Sequence, residues 1–278
     1  MRRTIRTLMM TTAVVAVTVA ALCGCGSSTT GSTTAAGTGE SPQSASLTVF
    51  AAASLKNVFP QIAAAFQKTH GGAQFSFNFA GTDTLTAQIE QGAPADVFAG
   101  ASTKYGDELA GKGLIQTPQS FATNRLVLIV PAANPAGISS LTDLTRPGVK
   151  LVVGDATVPI GTYTRKVLGN LDTTYGAGYS AKVLENVVSN AQDVSSIVGS
   201  VELGEADAGI VYVTDALAAG SKVKSIGLPA SAQAVATYPI AVVNASKHAS
   251  LGEQFATFVL GPEAQALLKQ AGFGPPPR

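Results

Sequence analysis

The sequence has no Trp, two Cys, two His and only 13% charged residues over 278 positions, and each shortage removes a class of protein. The charged share is about half the ~25% of an ordinary soluble domain. A largely disordered chain is charge-rich and poor in Val, Ile and Leu, so disorder over most of this length is excluded. Eighteen Lys and Arg face 17 Asp and Glu without a clustered cationic excess, which excludes nucleic acid as a partner. Cys23 and Cys25 are too few for a disulfide scaffold or a Cys-rich zinc site. His70 ends a helical stretch beside Gly71-Gly72, where a His complements the last carbonyls, and His248 lies in a polar stretch; neither is placed as a base. There is no GxSxG, HExxH or CxxC, and no carboxylate cluster to cage a free cation. Gly106 to Gly113 imitates a Walker A loop until Gly113 stands where a magnesium-binding Ser or Thr is needed, with no strand leading in; it reads as a surface turn. An enzyme and a resident cofactor are both disfavoured.

What is present begins with an address. Arg2, Arg3 and Arg6 precede an uncharged apolar run from Leu8 to Leu22, a basic region and hydrophobic region too short for a comfortable membrane span. Leu22-Cys23-Gly24-Cys25 resembles a bacterial lipobox, with Cys25 as the lipidated new N-terminus after removal of residues 1–24; an ordinary cleaved signal peptide and an uncleaved anchor are the alternatives. Without the three Arg of that segment, 15 basic residues face 17 acidic ones, a net charge near −2. Residues 25–46, rich in Ser, Thr, Gly and Ala, lack the apolar side chains that offset ordering entropy and read as a flexible tether. The body is then held at the extracytoplasmic face of the cell membrane.

From Leu47 the chain alternates strands and helices. Leu47–Phe50 is β-rich, and Val58, Phe59, Ile62, Ala63 and Phe66 recur at helical spacing. Ser54 is placed as the N-cap of that helix, although Pro60 would then fall in its second turn. Phe75, Phe77 and Phe79 alternate as in a strand, and Ala80 to Asp83 is the turn into a helix over Thr84–Gln91. Further strands are expected at Asp96–Ala99, Arg125–Val130, Lys150–Val153, Ala208–Val213 and Pro239–Val243, with helices near Thr162–Leu171, Val194–Glu202 and Leu251–Ala271. Continuous apolar strands separated by helices indicate an α/β fold with parallel-rich sheets covered on both faces. About 230 residues exceed one comfortable core, so two lobes are expected.

Several turns of small residues lead straight into helices: Ala53-Ser54, Gly81-Thr82, Pro159-Ile160-Gly161 and Asp193-Val194. In a parallel α/β sheet such turns gather at the carboxyl ends of strands, and helix starts offer unpaired N–H groups to an anion. Hydroxyls of Ser54, Thr82 and Tyr212 would complete such a site. From spacing alone each of these residues is more often a plain N-cap, and Tyr212 a core aromatic.

LTVFAAAS (Leu47 to Ser54), GAPADVF (Gly92 to Phe98), VGDATVPIG (Val153 to Gly161) and GIVY (Gly209 to Tyr212) with Asp215-Ala216 resemble, in order and over almost all of residues 47–275, the molybdate-binding protein family of bacterial ABC importers. That resemblance implies a two-lobed periplasmic-binding-protein fold with a hinge of crossing strands near Asn124–Pro131 and Thr237–Val243. Lobe one would be residues 47–127 plus 239–278, and lobe two residues 128–238. It implies a monomer that captures molybdate, and tungstate, and hands it to permease and ATPase subunits. Ligand contacts carried over are the hydroxyls of Ser54, Thr82 and Tyr212 and the backbone N–H groups of Ile160 and Val194. Thr82 departs from the usual Ser; its methyl would narrow the pocket or turn the oxygen away. Asp83 departs from a small polar residue and is expected to cap its helix or face solvent. A site of donors alone suits a fully ionised dianion and leaves the proton of hydrogen phosphate unpaired, whereas sulfate must be rejected by size. A sulfate, phosphate or other solute carrier of the same fold, an enzyme and a ligandless envelope lipoprotein are the rivals.

Overall fold

A computed structural model of the chain describes residues 46–277. The expected signal peptide, Cys25 and the expected tether as far as residue 45 lie outside the described residues, whereas Ser46, read as the end of the tether, opens the first strand. Lobe one opens with β1 (Ser46–Ala52), a single 3-10 turn at Ala53–Leu55, α1 (Phe59–Thr69), β2 (Gln74–Ala80), α2 (Thr82–Glu90), β3 (Val97–Ala99), α3 (Thr103–Gly111) and β4 (Gln119–Asn124). The chain crosses at Arg125 into lobe two. There it forms β5 (Leu126–Pro131), β6 (Leu151–Gly154), α4 (Pro159–Tyr175), α5 (Tyr179–Glu185), β7 (Val187–Ala191), α6 (Val194–Glu202), β8 (Ala208–Tyr212), α7 (Val213–Ala219) and β9 (Val223–Ile226). It returns as β10 (Ala236–Val242) and ends in α8 (Ala249–Leu260) and α9 (Pro262–Gln270).

Each lobe is built on one five-stranded sheet, ordered β2-β1-β3-β10-β4 and β7-β6-β8-β5-β9. Neighbours of β1 and β6 pair parallel, whereas the strands that arrive from the other lobe, β10 and β5, pair antiparallel with both neighbours. The α/β two-lobed fold with parallel-rich sheets is thus present, with antiparallel pairing contributed by the crossing strands. β5 reads Leu-Val-Leu-Ile-Val-Pro and is buried at every position, because helices cover both faces of its sheet.

Several local expectations are corrected. α1 begins at Phe59, not at Leu55, which puts Pro60 in the first turn where its missing N–H costs nothing. Ser54 therefore sits in the preceding 3-10 turn and caps no helix. α2 starts two residues early, at Thr82 after Gly81. The Gly106–Gly113 segment is not a surface turn: Gly106 to Gly111 belongs to α3. Gly106 packs where a Cβ would come within 3.2 Å of the Pro239 ring, and Lys112 bridges Glu90 at 2.6 Å and Glu108 at 2.9 Å. The apolar stretch Leu251–Ala271 is two helices broken at Gly261-Pro262. No described helix is long and apolar enough to cross a membrane.

Candidate anion site between the lobes

Five parallel strands deliver one predicted site residue each at or just beyond their carboxyl ends. β1 leads to Ser54, β2 to Thr82, β6 to Ile160, β7 to Val194, and β8 ends on Tyr212. The structure brings all five together around one cleft of about 240 Å³, counting the space at its mouth; the other lining residues include Ala53, Gly81, Ala101, Pro159 and Asp193, and no Lys or Arg. All five are buried.

The backbone donors follow from helix geometry. Pro159 is the first residue of α4, and the first helical bond that the turn makes is Thr162 N–H to the Val158 carbonyl, so the Ile160 N–H has no helical partner. Gly161 is required there, since a Cβ at 161 would lie 1.7 Å from the Asp155 carbonyl oxygen. Val194 opens α6 after Asp193, whose carboxylate accepts the Ser196 N–H at 3.0 Å and the Ser196 hydroxyl at 3.1 Å. Asp193 thus lines the cleft as a residue while its carboxylate hydrogen-bonds its own helix.

The hydroxyls are held individually. Thr82 Oγ1 accepts the Ala101 N–H at 3.1 Å, which leaves its proton free. Its methyl is seated toward Gly100, where an added Cβ would come within 2.9 Å of it, so the extra carbon relative to Ser packs against lobe one. Tyr212 is 2% exposed, and its hydroxyl has no hydrogen-bond partner. The Tyr238 hydroxyl is its neighbour but falls outside bonding geometry. Burial above all, with Tyr238, Tyr163 and Asp215 adding, pushes the Tyr212 phenol well above its ordinary value, so it stays a donor. Ser54 Oγ lies 2.9 Å from the Tyr238 hydroxyl.

Asp83 does not cap α2. It is half-buried, one carboxylate oxygen is buried without a partner, and it is not among the cleft-lining residues. Asp215, in the first turn of α7, is buried. Burial pushes its carboxyl up to about 7; the N–H groups of Tyr212 and of Asp215 itself pull against that rise, and Asp193 adds to it.

Three residues of consequence carried no local signal. Asn124 and Tyr238, on crossing strands β4 and β10, contact each other and the site from behind. Tyr105, on α3 of lobe one, donates its hydroxyl hydrogen to the Thr157 carbonyl in the turn before α4 of lobe two. That bond exists only with the lobes together.

A family model described as bacterial extracellular solute-binding protein matches residues 47–274. The chain belongs to that family. This solute-binding protein is 39% identical over 262 residues to the molybdate-binding protein ModA of Mycobacterium tuberculosis, covering 94% of this chain and 95% of that one. It is 38% identical over 236 residues to the molybdate-binding protein ModA of Escherichia coli, covering 82% and 88%. Its fold is similar to that of the periplasmic molybdate-binding protein of Azotobacter vinelandii, with a TM-score of 0.73 at 24% identity, covering 83% of this chain and 100% of that one.

Proposed function

We propose that this protein captures molybdate, and tungstate, between its two lobes and delivers it to the permease and ATPase subunits of an ABC importer. The hydroxyls of Ser54, Thr82 and Tyr212 and the N–H groups of Ile160 and Val194 donate to the oxyanion; no cofactor, free cation or catalysis is involved. The mature chain is a monomer tethered to the cell membrane at its extracytoplasmic face by a lipid on Cys25, after cleavage of residues 1–24. The lobe built on the sheet of β1–β4 and β10 and the lobe built on the sheet of β5–β9 close on the ligand. A ligand that bridges both lobes favours the closed state by its differential affinity.

The observation that carries this reading is the buried, unpartnered hydroxyl of Tyr212 in a cleft that holds four further neutral donors and no Lys or Arg. A buried polar group without a partner costs about 1–3 kcal/mol. A tetrahedral dianion offers acceptors in every direction, so it removes that cost for Tyr212 and takes the hydrogens of the other four donors as well. The named function of the relatives agrees. The test is a thermal-shift panel on residues 46–278. Molybdate and tungstate raise the midpoint, since a ligand bound only by the native state stabilises it, and sulfate and phosphate leave it unmoved. A shift with sulfate or phosphate in place of molybdate reassigns the carrier, and no shift with any oxyanion refutes oxyanion transport.

A further inference from the structure

Behind the cleft, a hydrogen-bonded chain runs from the crossing strands to Ser54, and its direction is fixed at its far end. Asn124 Oδ1 accepts the Arg125 N–H at 2.9 Å. A backbone N–H needs an oxygen, so the amide cannot turn over. Asn124 Nδ2 then donates to Thr214 Oγ1 at 2.8 Å and toward the Tyr238 hydroxyl at 3.4 Å. Asn124 is 2% exposed and Tyr238 fully buried, so the protein alone must satisfy them. The Tyr238 oxygen accepts from Asn124, which leaves its own hydrogen for Ser54 Oγ at 2.9 Å, because the Tyr212 hydroxyl is out of bonding geometry. Burial pushes the Tyr238 phenol far above its ordinary value, so that hydrogen is always present. Ser54 Oγ is thereby an acceptor on its inner side, which leaves its single hydrogen free for the cleft that Ser54 lines.

We propose that Asn124 and Tyr238 are positioning residues that fix the Ser54 hydroxyl as a donor toward the bound oxyanion, and that this fixed polarity rejects an oxyanion carrying a proton. The inference rests on the proposed oxyanion function and deepens it. Thr82 Oγ1 is likewise already accepting, from the Ala101 N–H. A P–O–H group pressed against either oxygen would strand a hydroxyl hydrogen in a buried site. Were Tyr212 to accept instead, its own hydrogen would have no partner. Molybdate, tungstate and sulfate bring no such proton. The crossing strands therefore do more than hinge the lobes: they set the polarity of a ligand contact.

Titration calorimetry at pH 7 with molybdate, and with phosphate as its competitor, tests this on wild type, Tyr238→Phe, Ser54→Ala and the double variant. With Tyr238→Phe the Ser54 hydroxyl is free to turn and to accept. Molybdate binding is expected to weaken about 10-fold while phosphate is not weakened, so selectivity falls by about the same factor. In the Ser54→Ala background, Tyr238→Phe adds less than about 2-fold, because contacts that act through one another are not additive. Equal weakening of molybdate and phosphate, unchanged molybdate binding, or a full further loss on top of Ser54→Ala overturns the inference while leaving the oxyanion function intact. A wild-type protein that binds neither anion overturns both. If Tyr238→Phe melts below the assay temperature, Asn124→Ala, which keeps the ring in place, is read by the same selectivity ratio.

Discussion

Replacing Tyr212 by Phe separates binding from stability, because the hydroxyl removed has no partner inside the protein. In the ligand-free chain no hydrogen bond is lost, the ring keeps its edge-on packing against Tyr238 at 6.1 Å between centroids, and the fold is as stable as wild type or up to about 1 kcal/mol more so. In the complex one hydrogen bond to a dianion disappears. Bonds to charged groups contribute about 1.5–3 kcal/mol, which is about a 10- to 150-fold rise in Kd for molybdate. The signs are therefore opposite: affinity falls while ligand-free stability holds or rises. Calorimetry gives the Kd, and unfolding in urea gives the ligand-free stability. A Kd changed by less than about 3-fold, or a ligand-free protein destabilised by more than about 1 kcal/mol, would refute the reasoning, since either outcome means that the hydroxyl spends its hydrogen bond within the protein.

Three further perturbations probe the surrounding elements. Asp215, raised from 3.8 to about 7 by burial, binds a proton in the folded state that the unfolded chain has released, so its contribution to stability is lost as pH rises from about 4 through 7. Asp215→Asn is accordingly expected to be more stable than wild type at pH 8, by on the order of 4 kcal/mol at most, with the gap closing at pH 4; an equal gap in unfolding free energy at both pH values contradicts this. Tyr105→Phe removes the bond to the Thr157 carbonyl and should speed ligand release about 5-fold with little change in association rate; stopped-flow rates that move the other way round would disprove a closing contact. Gly161→Ala forces a Cβ into the Asp155 carbonyl and should destabilise the chain by about 3 kcal/mol and abolish binding, measured by urea unfolding and calorimetry; a fold as stable as wild type means that the α4 start has room to shift.

Most of the strands and helices that frame the cleft were legible because their apolar runs are continuous and their turns are short. α6 was read at its observed bounds, Val194–Glu202, since Asp193 is a side-chain cap as well as a punctuation mark. Elements with little burial contrast were not legible: β7 is largely exposed, and α3 carries glycines at 106 and 111 that argue locally against a helix. Ser54 was found as a site candidate for a partly mistaken reason. Its hydroxyl caps nothing and instead meets Tyr238, 184 residues away. No periodicity pairs residues so far apart, which is why Asn124, Tyr238 and Tyr105 could be seen only once the crossing strands and the two lobes were assembled. Thr82 shows the converse limit, for its hydroxyl could be named from the chain, but the seat of its methyl against Gly100 depends on tertiary packing.

The central claim is that a dianion lies in this cleft on neutral donors alone, and anomalous scattering from molybdenum in a crystal of the liganded protein tests it most directly. The expected result is one strong peak between the lobes, with oxygens at about 2.7–3.2 Å from the hydroxyls of Ser54, Thr82 and Tyr212 and the N–H groups of Ile160 and Val194. A peak elsewhere on the surface, or one held by a Lys or Arg side chain, would contradict it.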